Sequence, residues 1–162
     1  QVGDFQVAIS GGFWVATRGK FYRLWGADAV PTFPDDGSPR PFPTYFPPVG
    51  GFRFGLFTLP PRSVTPATPL ASLDMAALKE VEDKMPGFIA HHEPEHPGMH
   101  TTDTVDFEYV ISGEVWLELD DGVEVQLQAG DTVVQNGTRH AWHNKSSEPC
   151  HMVTILIGAR RR

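Results

Sequence analysis

The feature that most constrains this chain is its punctuation after residue 104. Short β-rich runs follow one another with turn residues between them. Val105–Ile111, Val115–Leu119, Val123–Leu127, Thr132–Gln135, His140–Asn144 and His151–Ile157 are separated by Ser112-Gly113, Asp120-Asp121-Gly122, Ala129-Gly130 and Asn136-Gly137. Strands this short at such regular spacing do not suit helices or a parallel sheet; they predict an all-β sandwich or barrel. The alternation inside the first run sharpens this. His100, Thr102, Thr104, Asp106, Glu108 and Val110 share one parity, and Val105, Phe107, Tyr109 and Ile111 share the other. Successive strand side chains point to opposite faces. One face is therefore polar and the other apolar. Either the apolar row is core, or the polar row lines a cavity and the apolar row packs on the N-terminal strands or on a second subunit.

The N-terminal half is less regular. Phe5–Ile9, Phe13–Thr17 and Phe21–Trp25 read as strands in hairpin-like succession, and Phe52–Pro60 reads as another. Residues 31–50 are studded with proline and carry Phe33, Phe42, Tyr45 and Phe46. That composition predicts a stiff loop pinned by its aromatic rings, or a lid over a pocket. One helix is expected over about Asp74 to Lys84, capped by Ser72 or Asp74 and stopped by Pro86-Gly87. Its Met75, Leu78, Val81 and Met85 stripe is read as packing. The run His91-His92-Glu93-Pro94-Glu95-His96 has the composition of a metal cluster, but its prolines and irregular spacing favour a solvated loop. The expected organisation is one domain: residues 1–71 as strands and Pro-rich loop packing on the barrel, 72–95 as helix and loop, and 96–162 as the barrel core.

Composition narrows the partners. A formal charge of −7 argues against nucleic acid or an anionic membrane surface. No apolar run approaches the roughly 20 residues a membrane span needs. Cys150 is the single cysteine, so no intrachain disulfide can form and a reducing, cytoplasmic setting is expected. No signal-peptide pattern opens at Gln1, although the first residue is not methionine and a trimmed leader stays open.

Two spaced motifs in the β-rich half resemble those of the cupin superfamily. Aligned on Gly113, His100 falls at the first histidine of the first motif, Thr102 at the second and Asp106 at the acid. Gly130-Asp131, Gln135-Asn136-Gly137, His140 and Asn144 follow the second motif. The resemblance spans residues 96–157. It implies a jelly-roll barrel with an N-terminal β arm and one short helix. It also implies a ligand set of three histidines and one glutamate around a divalent metal. Here Thr102 stands where a histidine is usual, and Asp106 where a glutamate is usual.

Placed by the resemblance and by parity, the expected cavity holds His100, Asp106, Glu108 and His140 as catalytic groups. Thr102, Trp142, Asn144 and Arg139 are substrate-binding candidates, the last at the mouth. His100, Asp106 and His140 can form a two-histidine, one-carboxylate site for Zn, Mn, Ni or Fe; equally, the histidines and carboxylates can move protons with no cofactor at all. Cys150 is read as a packing thiol, and His143 is expected outside. Three functions follow: a lyase or isomerase (dehydration, decarboxylation or enolisation of a carbonyl or carboxylate compound), a mononuclear non-haem iron oxygenase, or a non-catalytic ligand-binding cupin. A small-molecule substrate and a homodimer are the expected partners.

Overall fold

The structure is a computed structural model that describes residues 13–14, 20–35, 37–38, 43–63 and 68–162. The strands are β1 (Phe13–Trp14), β2 (Lys20–Ala27), β3 (Phe52–Leu59), β4 (Thr104–Ser112), β5 (Glu114–Glu118), β6 (Glu124–Gln128), β7 (Thr132–Asn136), β8 (Ala141–His143) and β9 (Cys150–Gly158), with helix α1 at Met75–Lys84. Among the described residues they form a six-stranded sheet, ordered β1-β2-β3-β9-β4-β7, facing a three-stranded sheet, ordered β6-β5-β8. Every pairing between these strands is antiparallel. This is the expected all-β barrel with one α-helix. The expected strand at residues 5–9 lies outside the described residues, as does Val15–Thr17 of the next run. β2 and β3 do not merely pack on the barrel: they extend its sheet through β9.

The turns are where glycine is required. Gly113 joins β4 to β5 at φ +78°, and a Cβ there would stand 2.5 Å from the carbonyl oxygen of Pro149. No L-residue side chain fits that approach, so the sharp corner depends on glycine. Asp74 caps α1 by accepting the Ala77 N–H at 2.8 Å. The helix stripe starts one turn later than expected. Val81 and Met85 are buried, whereas Met75 is exposed.

Two apolar clusters bracket the interior. Leu59, Val110, Val115, Leu117, Leu127, Cys150 and Met152 fill the space between the sheets. Phe21, Tyr45, Val81, Met85 and Phe88 pack under α1. Cys150 is fully buried and its thiol is pushed up to about 11, chiefly by burial, as a packing thiol should be.

β4 resolves the parity question. Thr104, Asp106 and Val110 are buried, and Phe107, Tyr109 and Ile111 are more than 40% exposed. The polar row faces the interior. The outward row continues across four strands in register: Phe52, Ile157, Val105 and Asn136; then Phe54, Ile155, Phe107 and Val134; then Leu56, Val153, Tyr109 and Thr132. None of these side chains is charged.

β3 buries an arginine that the sequence did not single out. Arg53 is 1% exposed. It donates to the carbonyls of Ala27, Phe52 and Thr44 and to the Asp28 carboxylate at 2.6 Å. Those bonds tie the segment around Thr44 to the sheet and so fix the approach of Tyr45 and Phe46 to the interior.

Candidate functional site

Three histidines from three separate segments lie side by side. His100 bridges His92 on one side and His140 on the other, both antiparallel. The His100–His140 bridge is closed by both backbone bonds, N–H to O at 2.9 and 3.0 Å. Directly opposed residues in an antiparallel pair carry their side chains on the same face. The rings therefore stack: Phe88 on His92 at 3.8 Å between centroids, His92 on His100 at 4.6 Å, His100 on His140 at 4.2 Å, and Trp142 edge-on to His140 at 5.8 Å.

The backbone sets the tautomer of each ring. His92 Nδ1 lies 2.9 Å from the Phe88 carbonyl, His100 Nδ1 2.9 Å from the Gly98 carbonyl and His140 Nδ1 2.9 Å from the Thr138 carbonyl. A carbonyl only accepts, so Nδ1 carries the proton and Nε2 keeps a lone pair. Burial keeps the rings neutral. His92 is held down to about 4, first by desolvation, and His100, flanked by two other imidazoles, falls well below the ordinary histidine range. His140 is lowered by burial as well, with its carbonyl bond pulling the other way.

The carboxyl groups come from the inner row of β4. Glu108 accepts the Thr154 hydroxyl at 2.7 Å from the partner residue on β9. Burial raises it well above the usual carboxylate range, with the neighbouring Asp106 adding to the rise. Asp106 is raised to about 6, mainly by burial and partly offset by the Thr104 side chain. One Asp106 oxygen, Oδ1, is buried without a partner, and so is Nε2 of Gln135, its cross-strand neighbour on β7. Buried polar atoms left this way are costly unless something else satisfies them.

These groups line one cavity of about 90 Å3. The polar side is His92, His100, His140, Asp106, Glu108 and Thr154; the remainder is largely aromatic and aliphatic, with Tyr45, Phe46, Phe88 and Trp142 prominent. Four expected catalytic residues, His100, Asp106, Glu108 and His140, thus meet in one place, together with Trp142. The other candidates do not reach the cavity. Thr102 is buried with its hydroxyl 2.7 Å from that of Thr104. Asn144 is 2% exposed and ties a turn together, donating to the carbonyls of Leu59 and Glu148 and accepting from Ser146. Arg139 is held in a bidentate grip on Glu93, at 2.5 and 2.8 Å, with Asp120 beyond it. Its charge is spent on pinning the 93–96 loop, and the paired Glu93 is held down to about 2. His143 pairs with Glu118 and stays outside the cavity lining.

Sequence reasoning missed His92. Its doublet with His91, among prolines and acids, reads as loop, and only the long-range bridge to His100 brings it inside. Tyr45 and Phe46 were visible as part of a possible lid, and they do close one side of the cavity.

The donor set does not suit a metal. His100, Asp106 and His140 do not come together as a ligand group, and among the described residues no three His, Cys, Asp or Glu side chains do. His92 and His100 stack nearly parallel, and the His140 ring is tilted by 51° to that of His100. The present geometry does not fit the expected two-histidine, one-carboxylate centre.

Comparison with known proteins agrees with the fold. Residues 88–156 match the family described as Cupin domain. Curated relatives match over a similar stretch. Oryzines biosynthesis cluster protein J of Aspergillus oryzae is 42% identical over 59 residues, 36% of this chain and 33% of that protein. Phomopsin biosynthesis cluster protein D of Diaporthe leptostromiformis is 46% identical over 63 residues, 38% of this chain and 33% of that one. The cupin-domain-containing oxidoreductase virC of Hypocrea virens is 34% identical over 65 residues, 38% and 34% of the two chains. The match spans about a third of the length of each relative. Among solved structures, a Cupin 2 conserved barrel domain protein from Salinispora arenicola superposes with a TM-score of 0.50 at 15% identity, covering 97% of this chain and 90% of that one. The plu4264 protein of Photorhabdus luminescens does so with 0.50 at 12%, covering 95% and 86%. No helix among the described residues is long and apolar enough to cross a membrane. The two motifs, the barrel and the family match agree: residues 88–156 of this chain form a cupin domain.

Proposed function

We propose that the cavity enolises a carbonyl group on a neutral part of a small-molecule substrate, as a lyase or isomerase does, with protein groups alone moving the proton. The observation that carries this reading is the placing of Glu108, whose burial favours the neutral acid, in one cavity with imidazoles that keep a lone pair on Nε2. A neutral carboxylic acid donates a hydrogen bond and a neutral imidazole accepts a proton, so the site is acid and base at once with no net charge. His140 is the base. It has an imidazole on one face only, whereas His100 is hemmed in on both. In the step, the Cα–H bond of the substrate breaks and its proton passes to His140 Nε2. The electron pair moves to the carbonyl oxygen, which the Glu108 hydroxyl stabilises by hydrogen bonding. The proton's return to carbon or to a leaving group decides between isomerisation and elimination. Asp106, with its unpartnered oxygen, binds a second polar group of the substrate.

The test is proton exchange in deuterium oxide. A panel of small alkyl and aryl ketones and aldehydes is incubated with the protein and followed by proton NMR. Protein-dependent loss of α-proton signal, abolished in His140→Ala, is the expected result. Exchange no faster than in buffer across the panel would sink the reading.

The oxidoreductase name of virC, a partial relative, would favour redox chemistry, but the stacked histidines present no three-ligand site to support it. We also propose that the outward face of the six-stranded sheet pairs with its copy on a second chain. Four strands by three outward residues make roughly 400 Å2 in projection. That is the scale of the largest apolar patch on a typical monomer, and such patches are often functional. The face carries no charge in the register described, so a two-fold pairing sets none of the chain's −7 charge against itself.

A further inference from the structure

A second hollow lies on the far side of Phe46. It is an open groove of about 460 Å3, against about 90 Å3 for the cavity. Phe46 lines both. So do neighbours on two elements: Thr104 lines the groove where Asp106 and Glu108, next along the same inner row of β4, line the cavity, and His91 lines the groove where His92 lines the cavity. The two hollows are therefore one trough along β4 with an aromatic ring across its waist.

The ring is the soft part of that partition. Its backbone is held on both sides. Tyr45 N–H donates to the Pro86 carbonyl at 2.7 Å and Gly50 N–H to the Gly158 carbonyl at 3.2 Å. The Pro48 carbonyl sits so close over Gly158 that a Cβ there would lie 1.8 Å away. The segment cannot lift without breaking these contacts. The Phe46 side chain is held by packing, with ring contacts at 4.8 Å to His91, 4.9 Å to Tyr45, 6.2 Å to Phe88 and 6.3 Å to His100. A χ rotation opens the waist while the backbone stays in place.

Charge distinguishes the two ends. The cavity end is built from neutral imidazoles and buried carboxyl groups and disfavours an anion. The groove end carries Arg160 and Arg161 in a chain of net charge −7. Arg161 is engaged with Asp103 at 2.6 Å and with the carbonyls of Thr102 and Gly137. Arg160 is exposed and makes no ion pair among the described residues. His91 Nδ1 faces the Thr101 carbonyl at 3.1 Å, which turns Nε2 to the groove.

We propose that cavity and groove together bind an elongated amphipathic carboxylate, its neutral apolar head beside His140 and Glu108 and its carboxylate at Arg160, with Phe46 rotated aside. This rests on the reading of the cavity as the reaction site and names the class of substrate that site takes. From Thr104 to Glu108 the strand rises roughly 13 Å, so the matching probe is an eight-carbon chain with a terminal phenyl ring.

Titration calorimetry at low salt compares ω-phenyloctanoate, ω-phenyloctanol and benzyl alcohol. The carboxylate should bind about tenfold more tightly than the long alcohol, a margin of about 1.4 kcal/mol. Arg160→Gln, an exposed change, should erase that margin and leave the long alcohol's affinity where it was. Phe46→Trp should weaken both long probes several-fold and benzyl alcohol less, since only the long probes must pass the waist. Equal affinities of the two long probes for the unaltered protein, or a margin untouched by Arg160→Gln, overturn the proposal; so does failure of the long probes to bind at millimolar concentration. Benzyl alcohol separates the two readings. If it binds and the carboxylate margin is missing, the trough is wrong and the cavity stands. If benzyl alcohol and both long probes all fail, the cavity reading fails with it.

Discussion

The two faces of β4 are built from alternate residues of one nine-residue strand, yet they are governed by different physics. The inner row, Thr104, Asp106, Glu108 and Val110, places two carboxyl groups where water is scarce, and both are pushed towards their neutral forms. The outer row, Val105, Phe107, Tyr109 and Ile111, puts large apolar side chains at the surface. A globular strand ordinarily does the reverse. The inversion is what supports both proposals: polar groups turned inward for chemistry, and an uncharged apolar row turned outward for pairing. Stability for the polar interior comes from the two apolar clusters on either side of the cavity, not from the row that lines it.

The comparison is broken most severely by changing an inner acid. Glu108→Gln removes the titrating proton but keeps a hydrogen-bond donor. Turnover in the exchange assay should fall about a hundredfold or more, the scale of general acid catalysis. The pH profile is the sharper readout. The unaltered protein should lose activity in acid, as His140 protonates below the ordinary histidine value of 6.5, and in alkali, as Glu108 ionises above the ordinary 4.5. The variant should keep the acid limb and lose the alkaline one. An unchanged alkaline limb would assign it to another group.

Asp106→Asn is the next largest effect and acts on stability. Folding raises this carboxyl from 3.8 to about 6. The folded state therefore binds the proton more tightly than the unfolded state, and the associated stability is full below about 3.8 and lost as pH rises through 6. Above that window the ionised Asp106 weakens the fold by about 3 kcal/mol, since a tenfold difference in proton affinity is worth about 1.4 kcal/mol. Asparagine does not ionise. Denaturant melts should find the variant more stable by up to that amount at about pH 8 and nearly equal at about pH 4. His92 works in the other direction. Its contribution is present above 6.5 and lost as pH falls towards about 4, so the two dependences nearly cancel between about pH 4 and 6 in the unaltered protein, and Asp106→Asn should leave a stability that rises with pH across that window.

The smallest change in the fold should come from the outer row. Phe107→Glu together with Val134→Lys alters two exposed positions paired across β4 and β7. Monomer stability should shift by no more than about 0.5 kcal/mol, as for most surface positions. The mass in solution should drop from twice the chain mass to the chain mass of 17.9 kDa. A single-chain mass before substitution would refute the pairing of outer faces.

Much of this was legible in the residues. The strands from 104 onward were marked by glycine turns, and the inner row followed from parity once His100 and Asp106 were placed by motif. The position of His92 was not legible, because an isolated bridge carries no periodic signal and its neighbours are loop formers. Arg53 lay hidden in an aromatic strand, since nothing local says that Asp28 and two carbonyls far away in sequence will close around it. Asn144 fits its motif position but is consumed by turn hydrogen bonds. Arg139 looked available until folding brought Glu93 within reach.

The carbonyl bonds to the three Nδ1 atoms have a practical consequence: each histidine can be divided into two halves by substitution. An asparagine amide can stand in for Nδ1–H against the carbonyl while offering nothing at the place of Nε2. A glutamine amide extends to the place of Nε2 and abandons the carbonyl. Exchanging His140 for each in turn separates the work of holding the column upright from the work of accepting a proton, within a single position of the chain.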